Sequence, residues 1–404
     1  MIKKRVSLRG ATALGRDEDT MYVDKNASPS FDTVGEKNDK GGKNMNGKIV
    51  AQDTEVKIGV DVHTGSHVVT VKVGKKIVER TKLKPAAEVW NKYLKRYPGC
   101  LIHVIYESGP NGYNLYDWLM ELDGEDGREM HVYVAPPAMV PKAPGKTRVK
   151  TDRRDSEQLI KAFESDNFRP VVVPDKTRRV ERELVRTRDR IMKDIQRTKN
   201  RIHGMMKFHG IEYPQGAKNW SKKWREKTIV AAECADATGG LKEILLMHLE
   251  ELDAATEALE RLEKRIVALA RSGECGAVMQ KLMKQTGIGI VSAALVATEV
   301  VSFEAFDNSE AFASYTGLVS GARGTGNTMH QGPITKEGNR RLRKILVECA
   351  WVWVRYDAAA KEKFDSLKFT RGKRRAIVAM ARRLAVRIYH QVVHGASPTP
   401  VMLR

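Results

Sequence analysis

The sequence is short of cysteine, of long apolar runs and of acidic residues. Only four cysteines occur in 404 residues, at Cys100, Cys234, Cys275 and Cys349. They are widely separated and form no C-x-x-C pair, so neither a zinc site nor a disulfide frame is expected, and ordinary thiols of a reducing compartment fit better. The longest apolar segment, residues 288–301, is broken by Glu299 and is too short to span a bilayer. The basic residues of the first ten positions are followed by no apolar stretch, which argues against a signal peptide. A cytoplasmic protein with no membrane partner is therefore expected. Acidic residues number 50 against 71 Lys and Arg, leaving a net charge of +21. That surplus favours a polyanionic partner, nucleic acid ahead of an acidic membrane surface. A merely soluble basic protein would carry the same surplus, so charge alone sets only a direction.

The length allows two or three domains with real cores. Residues 1–54 read as a flexible basic leader, polar and rich in Gly, Lys, Asp and Asn, with EKNDKGGKNMNGK at 36–48. From Val56 the pattern changes. Residues 56–60 predict a short buried strand and 67–73 an alternating second one, which Gly74-Lys75 turns into a third at 77–80. Helical spacing follows over 86–97, through Val89, Trp90, Tyr93 and Leu94. A strand at 101–106, a helix at 113–122, a strand at 131–134 and, after a Pro-containing loop, a helix at 152–163 complete the series. Three meandering strands followed by α-β-α-β-α is the order of an RNase H/RuvC-like α/β domain, here assigned to residues 55–172.

On that order Asp61 ends the first strand, Glu107 ends the fourth, and Asp152 and Asp155 share one face of the last helix. Carboxylates are costly at the ends of buried strands unless positive charge holds them, and a divalent metal is the usual answer. Four carboxylates can hold two magnesium ions ~4 Å apart, gripping the attacking and leaving oxygens of a phosphodiester. The plainer alternative makes Asp61 and Glu107 turn residues, Asp152 a helix cap and Asp155 a first-turn partner of an arginine. His63, two residues from Asp61, is in reach of a metal or phosphate, or simply packs or faces solvent.

Residues 173–275 read as a coiled-coil helical region. One seam runs through Leu184, Ile191, Ile195, Ile202 and Met205, and a second through Leu245, Leu249, Leu252, Leu259, Leu262, Ile266 and Leu269. The two helices, 178–206 and 241–269, suit an antiparallel hairpin or an intermolecular coiled coil. Pro214, Gly216, Trp220 and Trp224 are assigned to the loop between them. The Arg and Lys crowding the first helix either follow a phosphate backbone or are a solvated face. In residues 276–404, Thr286-Gly287-Ile288-Gly289-Ile290 and the Ala-rich helix after it look like a helix-hairpin-helix segment. There, backbone N–H groups about Gly287 and Gly289 would hold phosphate, although Gly-x-Gly also makes ordinary tight turns. Basic residues follow at Lys336, Arg340, Arg341 and Arg343 and again at 371–375, with helices expected at 339–356 and 371–393.

Six motifs in order carry a family resemblance: I-G-V-D at 58–61, Y-E-S-G-P at 106–110, K-T-D-R-R-D at 150–155, T-G-I-G at 286–289, A-S-Y-T-G-L-V at 313–319 and I-T-K-E-G-N-R-R-L-R at 334–343. From Val56 onward the chain resembles the DEDD-type transposases of the insertion-sequence 110 group, the bridge-RNA-guided recombinases. The resemblance implies that Asp61, Glu107, Asp152 and Asp155 are Mg2+ ligands. It implies a coiled-coil middle and a helical C-terminal transposase domain whose serine attacks a phosphodiester, forming a covalent protein–DNA intermediate. It also implies donor and target DNA chosen by base pairing to an element-encoded guide RNA. Members act as a homo-oligomer, a dimer or tetramer, with catalytic halves from different subunits.

The chain departs from the family at the nucleophile. The family pattern runs from G-L-x-P to a Ser-Gly pair; counted from Gly317-Leu318-Val319, the proline position is Ser320 and the Ser-Gly pair falls on Thr325-Gly326. Threonine keeps the hydroxyl, but its methyl group restricts χ1 and crowds an in-line attack. Thr325 is the first choice and Ser320 the second; the third reading is an impaired enzyme in which these residues only make turns. Two other functions fit the same residues. One is a metal-only RuvC-like structure-selective endonuclease that cuts with water, and the other a domesticated nucleic-acid-binding protein that no longer cuts.

Overall fold

The computed structural model describes residues 42–43, 49–50, 54–137, 140, 152–165, 168–325 and 328–395, with only the backbone described for 42–43, 49–50, 152–154 and 322–331. The chain forms two compact units, residues 1–171 and 172–404.

The first unit is built on a five-stranded sheet in the order β3-β2-β1-β4-β5. Its strands are β1 (Glu55–Val62), β2 (His67–Val73), β3 (Lys76–Leu83), β4 (Leu101–Glu107) and β5 (Glu129–Ala135). β1 to β3 are antiparallel, and β4 and β5 run parallel to β1 and to each other. This mixed order is the ribonuclease-H-like one. β1 lies at the centre and is covered on both faces, so residues 56–60 are all buried, as expected of a strand without polar alternation. β3 outruns the expected 77–80 because its backbone keeps pairing with β2 up to Leu83 opposite His67, beyond its apolar residues.

Helix α1 (Ala87–Leu94) buries Trp90, Tyr93 and Leu94. It ends before the expected 97 because Pro98 disfavours helical backbone in the residue preceding it. Trp90 Nε1–H donates to His67 Nδ1 at 2.9 Å, which places α1 on the sheet face that carries His67. α2 (Asn114–Glu121) follows β4 and buries Leu115 and Leu119. α3 (Asp152–Phe163) covers the other face. A β-carbon on Gly59 would collide with the Ser156 carbonyl oxygen and stand 3.0 Å from Ile160 Cγ1, so α3 lies directly on β1.

The second unit is mostly helical. α4 (Lys176–Phe208) starts at an Asp175 cap whose carboxylate accepts from Arg178 N. It packs against α6 (Gly240–Leu269), and ion pairs Arg188–Glu263 and Arg201–Glu251 show the two helices to be antiparallel. The buried seam of α4 is Val185, Ile195, Thr198, Ile202 and Met206, displaced from the expected Leu184 and Met205. The reason is periodicity: a straight helix turns every 3.6 residues, so a 3.5-residue stripe drifts about 20° per heptad.

The segment assigned to a loop around Trp224 is a helix, α5 (Lys222–Ala235), capped by Ser221 and anchored by the fully buried Trp224. Its weak amphipathicity, with three lysines in its first six residues, hid it in the sequence. α7 (Gly273–Met283), α8 (Ile290–Glu299) and α9 (Ser309–Tyr315) lead to an antiparallel hairpin, β6 (Ser320–Thr325) and β7 (Thr328–Ile334). α10 (Arg340–Tyr356), α11 (Ala358–Arg371) and α12 (Lys373–Val393) close the unit. α11 was not expected; Ala360 and Phe364 are its buried anchors, with Leu367 partly buried beside them, under a cap by Asp357. The core gathers α12, through Ile377, Met380, Leu384 and Ile388, with α7, α8 and α10.

Candidate functional site

In the first unit, parallel β1 and β4 set Val60 beside Tyr106. Asp61 and Glu107 are the next residues of these neighbouring strands, so they lie at one end of the sheet. Asp61 is half-buried and Glu107 exposed. The direction of α3 follows from its contacts. Its C-terminal neighbour Glu164 accepts from Lys72 Nζ at 2.7 and 2.8 Å and from Lys57 Nζ at 3.2 Å. Ser156 Oγ meets Thr70 Oγ1 at 2.8 Å. Lys72 is the register partner of Lys57, and Thr70 of Gly59. α3 therefore runs opposite to β1, and its first turn, with Asp152 and the half-buried Asp155, lies toward the Asp61 end. Burial pushes the Glu164 carboxyl up, but the hydrogen bonds from Lys72 and Lys57 outweigh it and hold it below its usual value. That ion-pair group pins the far end of α3.

Two further residues shape this end. His63 Nε2 stands 3.1 Å from Asp61 Oδ2. Asn111 Nδ2 donates to the Val62 carbonyl at 2.9 Å, and Thr64 Oγ1 donates to Asn111 Oδ1 at 3.3 Å. This ties the loop after Glu107 to the end of β1. Asn111 belongs to none of the candidate site residues named from the sequence; its one signal there is its place beside Gly112, just after Ser108-Gly109-Pro110. The oxygen donors of Asp61, Glu107 and Asp155 are the type that hard divalent cations take. Among the described residues no three such side chains are close enough to share one ion, and the Asp152 side chain is not among them. The donor chemistry fits a metal.

In the second unit the two glycines of the α7–α8 turn differ. Gly287 has φ +94°, and a β-carbon there would stand 2.6 Å from Cys349 O and 2.9 Å from Trp353 N of α10, so close backbone approach requires the glycine. Gly289 is exposed and opens α8 with free space before it.

The T-G-L and K-E-G-N motifs meet as one clasp at the base of the β6–β7 hairpin. Asn339 N donates to Tyr315 O at 2.8 Å, and Thr335 N to Val319 O at 3.0 Å. Arg343 Nη1 donates to Thr316 O at 3.2 Å. A β-carbon on Gly338 (φ +116°) would collide with Tyr315 O, and one on Gly317 (φ +70°) would stand 2.5 Å from Glu337 O. From this clasp the hairpin extends from Ser320 opposite Ile334 to Thr325 opposite Thr328. Lys336 and Arg340 are exposed around it, while Arg341 and Arg343 are half-buried.

Behind the clasp sits Glu299, only 3 % exposed. Arg186 Nε and Nη2 each donate to it at 2.8 Å, and Asn339 Nδ2 donates at 2.9 Å. Burial would raise its carboxyl; Arg186 and Asn339 prevail and hold it below the usual value. Asn339 Oδ1 also caps α10, accepting from Arg341 N and Leu342 N. Glu299 entered the sequence reading only as a break in an apolar run. A carboxylate in such a run was itself the signal of a buried partner.

The sheet order defines a ribonuclease-H-like domain, here followed by a basic helical unit. A DEDD transposase model of the IS110 group matches residues 58–211, and a model described as Transposase IS116/IS110/IS902 family matches residues 279–365. The chain belongs to this IS110 family of transposases, enzymes that cut and join DNA, and a DEDD domain implies use of a divalent metal. Among its relatives, the putative transposase y4qE of Sinorhizobium fredii is 29% identical over 74% of this chain and 71% of its own length. The transposase of insertion sequence element IS1111A of Coxiella burnetii is 27% identical over 58% and 65%. That of IS1533 of Leptospira borgpetersenii is 22% identical over 83% and 95%. Among the described residues no helix is long and apolar enough to cross a membrane.

Proposed function

We propose that this transposase cuts and rejoins donor and target DNA through a hydroxyl nucleophile, Thr325, assisted by metal-binding Asp61, Glu107, Asp152 and Asp155. The observation that carries the reading is the clasped hairpin, which has Thr325 at its far end, whereas Ser320 pairs with Ile334 at its base. In the step itself an Oγ–P bond forms as the P–O bond to the leaving strand breaks. The Oγ proton passes to water or a base, and the leaving oxygen takes one up. Attack on the Thr–phosphate linkage by a DNA hydroxyl then rejoins the strands and frees Thr325. Magnesium suits four carboxylates, two ions suit their number, and the bound metal would offset charge developing on the phosphate.

Partner selection completes the reading. A bridge RNA specifies donor and target by base pairing, and the protein works as a dimer or tetramer. The leader ends at residue 54, the metal-binding domain spans 55–172, the middle spans 173–275 as a coiled coil, and 276–404 is the transposase domain. In it the α7–α8 turn acts as a helix-hairpin-helix element. Gly287, Gly289, Lys336, Arg340, Arg341 and Arg343 bind the nucleic acid, the glycines through backbone N–H groups and the cations through phosphates.

The test is end-labelled junction DNA incubated with protein, guide RNA and Mg2+, then denatured. A protein–DNA adduct that survives denaturation, persists in Thr325→Ser and disappears in Thr325→Ala is the expected result. Clean hydrolysis without an adduct would instead establish a metal-only endonuclease, and no strand breakage under any guide a non-cutting binder.

A further inference from the structure

Residues 368–375, Lys-Phe-Thr-Arg-Gly-Lys-Arg-Arg, close α11 and open α12 through Gly372, whose φ is +77°. All eight are exposed, and Phe369, at 95 % exposure, is the most exposed large apolar side chain among the described residues. Five of the eight are cations, and residues 366–404 contain no Asp or Glu. Among the described residues, none of these five cations lies within ion-pair distance of a carboxylate. Lys373 Nζ instead stands 5.4 Å from the centre of the Trp351 ring. Positive charge is crowded here: burial first, then Arg382 and Arg371, lowers the pKa of the Arg383 guanidinium.

Folding does not account for this segment. Lys368 and Arg371 suit the C-terminal end of α11, where the helix dipole favours cations. Lys373, Arg374 and Arg375 occupy the first turn of α12, where the dipole disfavours them and no acidic residue compensates. Phe369 contributes nothing to the core and leaves its ring in water. The family match of this unit ends at residue 365, so nothing in it assigns a role to the segment.

We propose that the α11–α12 turn is a surface for unpaired nucleotides, on which Phe369 stacks against a base while Lys368, Arg371, Lys373, Arg374 and Arg375 follow the phosphates. An exposed ring ringed by cations is the combination that sequence-tolerant single-strand binding uses. Unpaired nucleotides fit better than duplex, because wedging a ring into a duplex must first unstack a base step. The inference rests on DNA as the substrate. Its ligand is either a DNA strand opened during cutting or a single-stranded part of an RNA, which share this chemistry.

The test compares full-length wild type, Phe369→Ala, Phe369→Trp and the triple variant Lys373→Gln/Arg374→Gln/Arg375→Gln on fluorescent single-stranded DNA, single-stranded RNA and duplex DNA. Phe369 is exposed, so its variants should keep the wild-type circular dichroism spectrum. Expected is a loss of about tenfold in single-strand affinity for Phe369→Ala, with duplex affinity little changed and recovery in Phe369→Trp. The triple variant should flatten the log–log salt dependence on single strands by about 2. Preference for DNA or RNA identifies the source, and either supports the surface. Unchanged single-strand binding by Phe369→Ala overturns this inference alone, as does Phe369-dependent capture on phosphatidylserine vesicles with nucleic-acid binding unaffected. Failure of the wild type to bind any of the three nucleic acids overturns the inference together with DNA as substrate.

Discussion

Gly59 of β1 lies directly under the Ser156 carbonyl of α3, so close that a β-carbon at Gly59 would collide with that oxygen. The contact sets the distance between the strand that ends near Asp61 and the helix that carries Asp152 and Asp155. Gly59→Ala should therefore lift α3 off the sheet. The expected cost is about 1–3 kcal/mol in urea unfolding, the range of an overpacked core, together with loss of DNA cleavage. Wild-type cleavage by a folded Gly59→Ala protein would break the link between this contact and the acidic residues.

The buried Glu299–Arg186 pair gives the second prediction. Arg186→Met takes the strongest partner from the buried Glu299 and should cost about 3 kcal/mol, while Glu299→Gln should cost less, because the Arg186 side chain is 31% exposed. Because the two share one interaction, the double variant should cost clearly less than the sum, as read from a double-mutant cycle of urea midpoints. Glu299→Gln should also loosen the Asn339 cap and the hairpin clasp, reducing cleavage at temperatures where the fold persists.

A third prediction concerns acid stability. Burial first, then the charges of His131 and Lys57, pushes the His103 imidazole down from 6.5 to about 4. Glu55 lies 3.4 Å from its Nε2 but is too exposed to reverse this. The folded state thus binds fewer protons than the unfolded one between these values, and stability falls as pH drops from 6.5 toward 4. The loss attributable to His103 is at most about 3 kcal/mol. His103→Gln should flatten the stability–pH curve in that window, and an unchanged slope would assign the loss to other groups.

Much of the first unit was legible because its signals are local. An apolar run ending in Asp61, the alternation of residues 67–73 and the Gly74-Lys75 turn each specify an element without reference to distant partners. α3 was equally readable from Leu159, Ile160 and Phe163. The glycine at 59 carried information that no periodicity reveals, since only the fold shows which helix comes down on it. The second unit was read less well for the same reason. α5 and α11 are amphipathic only weakly, and tertiary burial of Trp224 and Phe364 defines them. The clasp joins residues about Tyr315 to residues about Gly338 across the hairpin, and Glu299 finds Arg186 more than a hundred positions away. These long-range partners cannot be inferred from spacing.

The acidic residues at one end of the first unit's sheet are proposed as the metal ligands for DNA cutting. The direct measurement is Mg2+-dependent strand cleavage by Asp61→Ala and Asp155→Ala, with RNA and DNA binding measured on the same preparations. Both variants should bind nucleic acid nearly as well as wild type and cleave none. Wild-type cleavage by both variants would contradict that assignment.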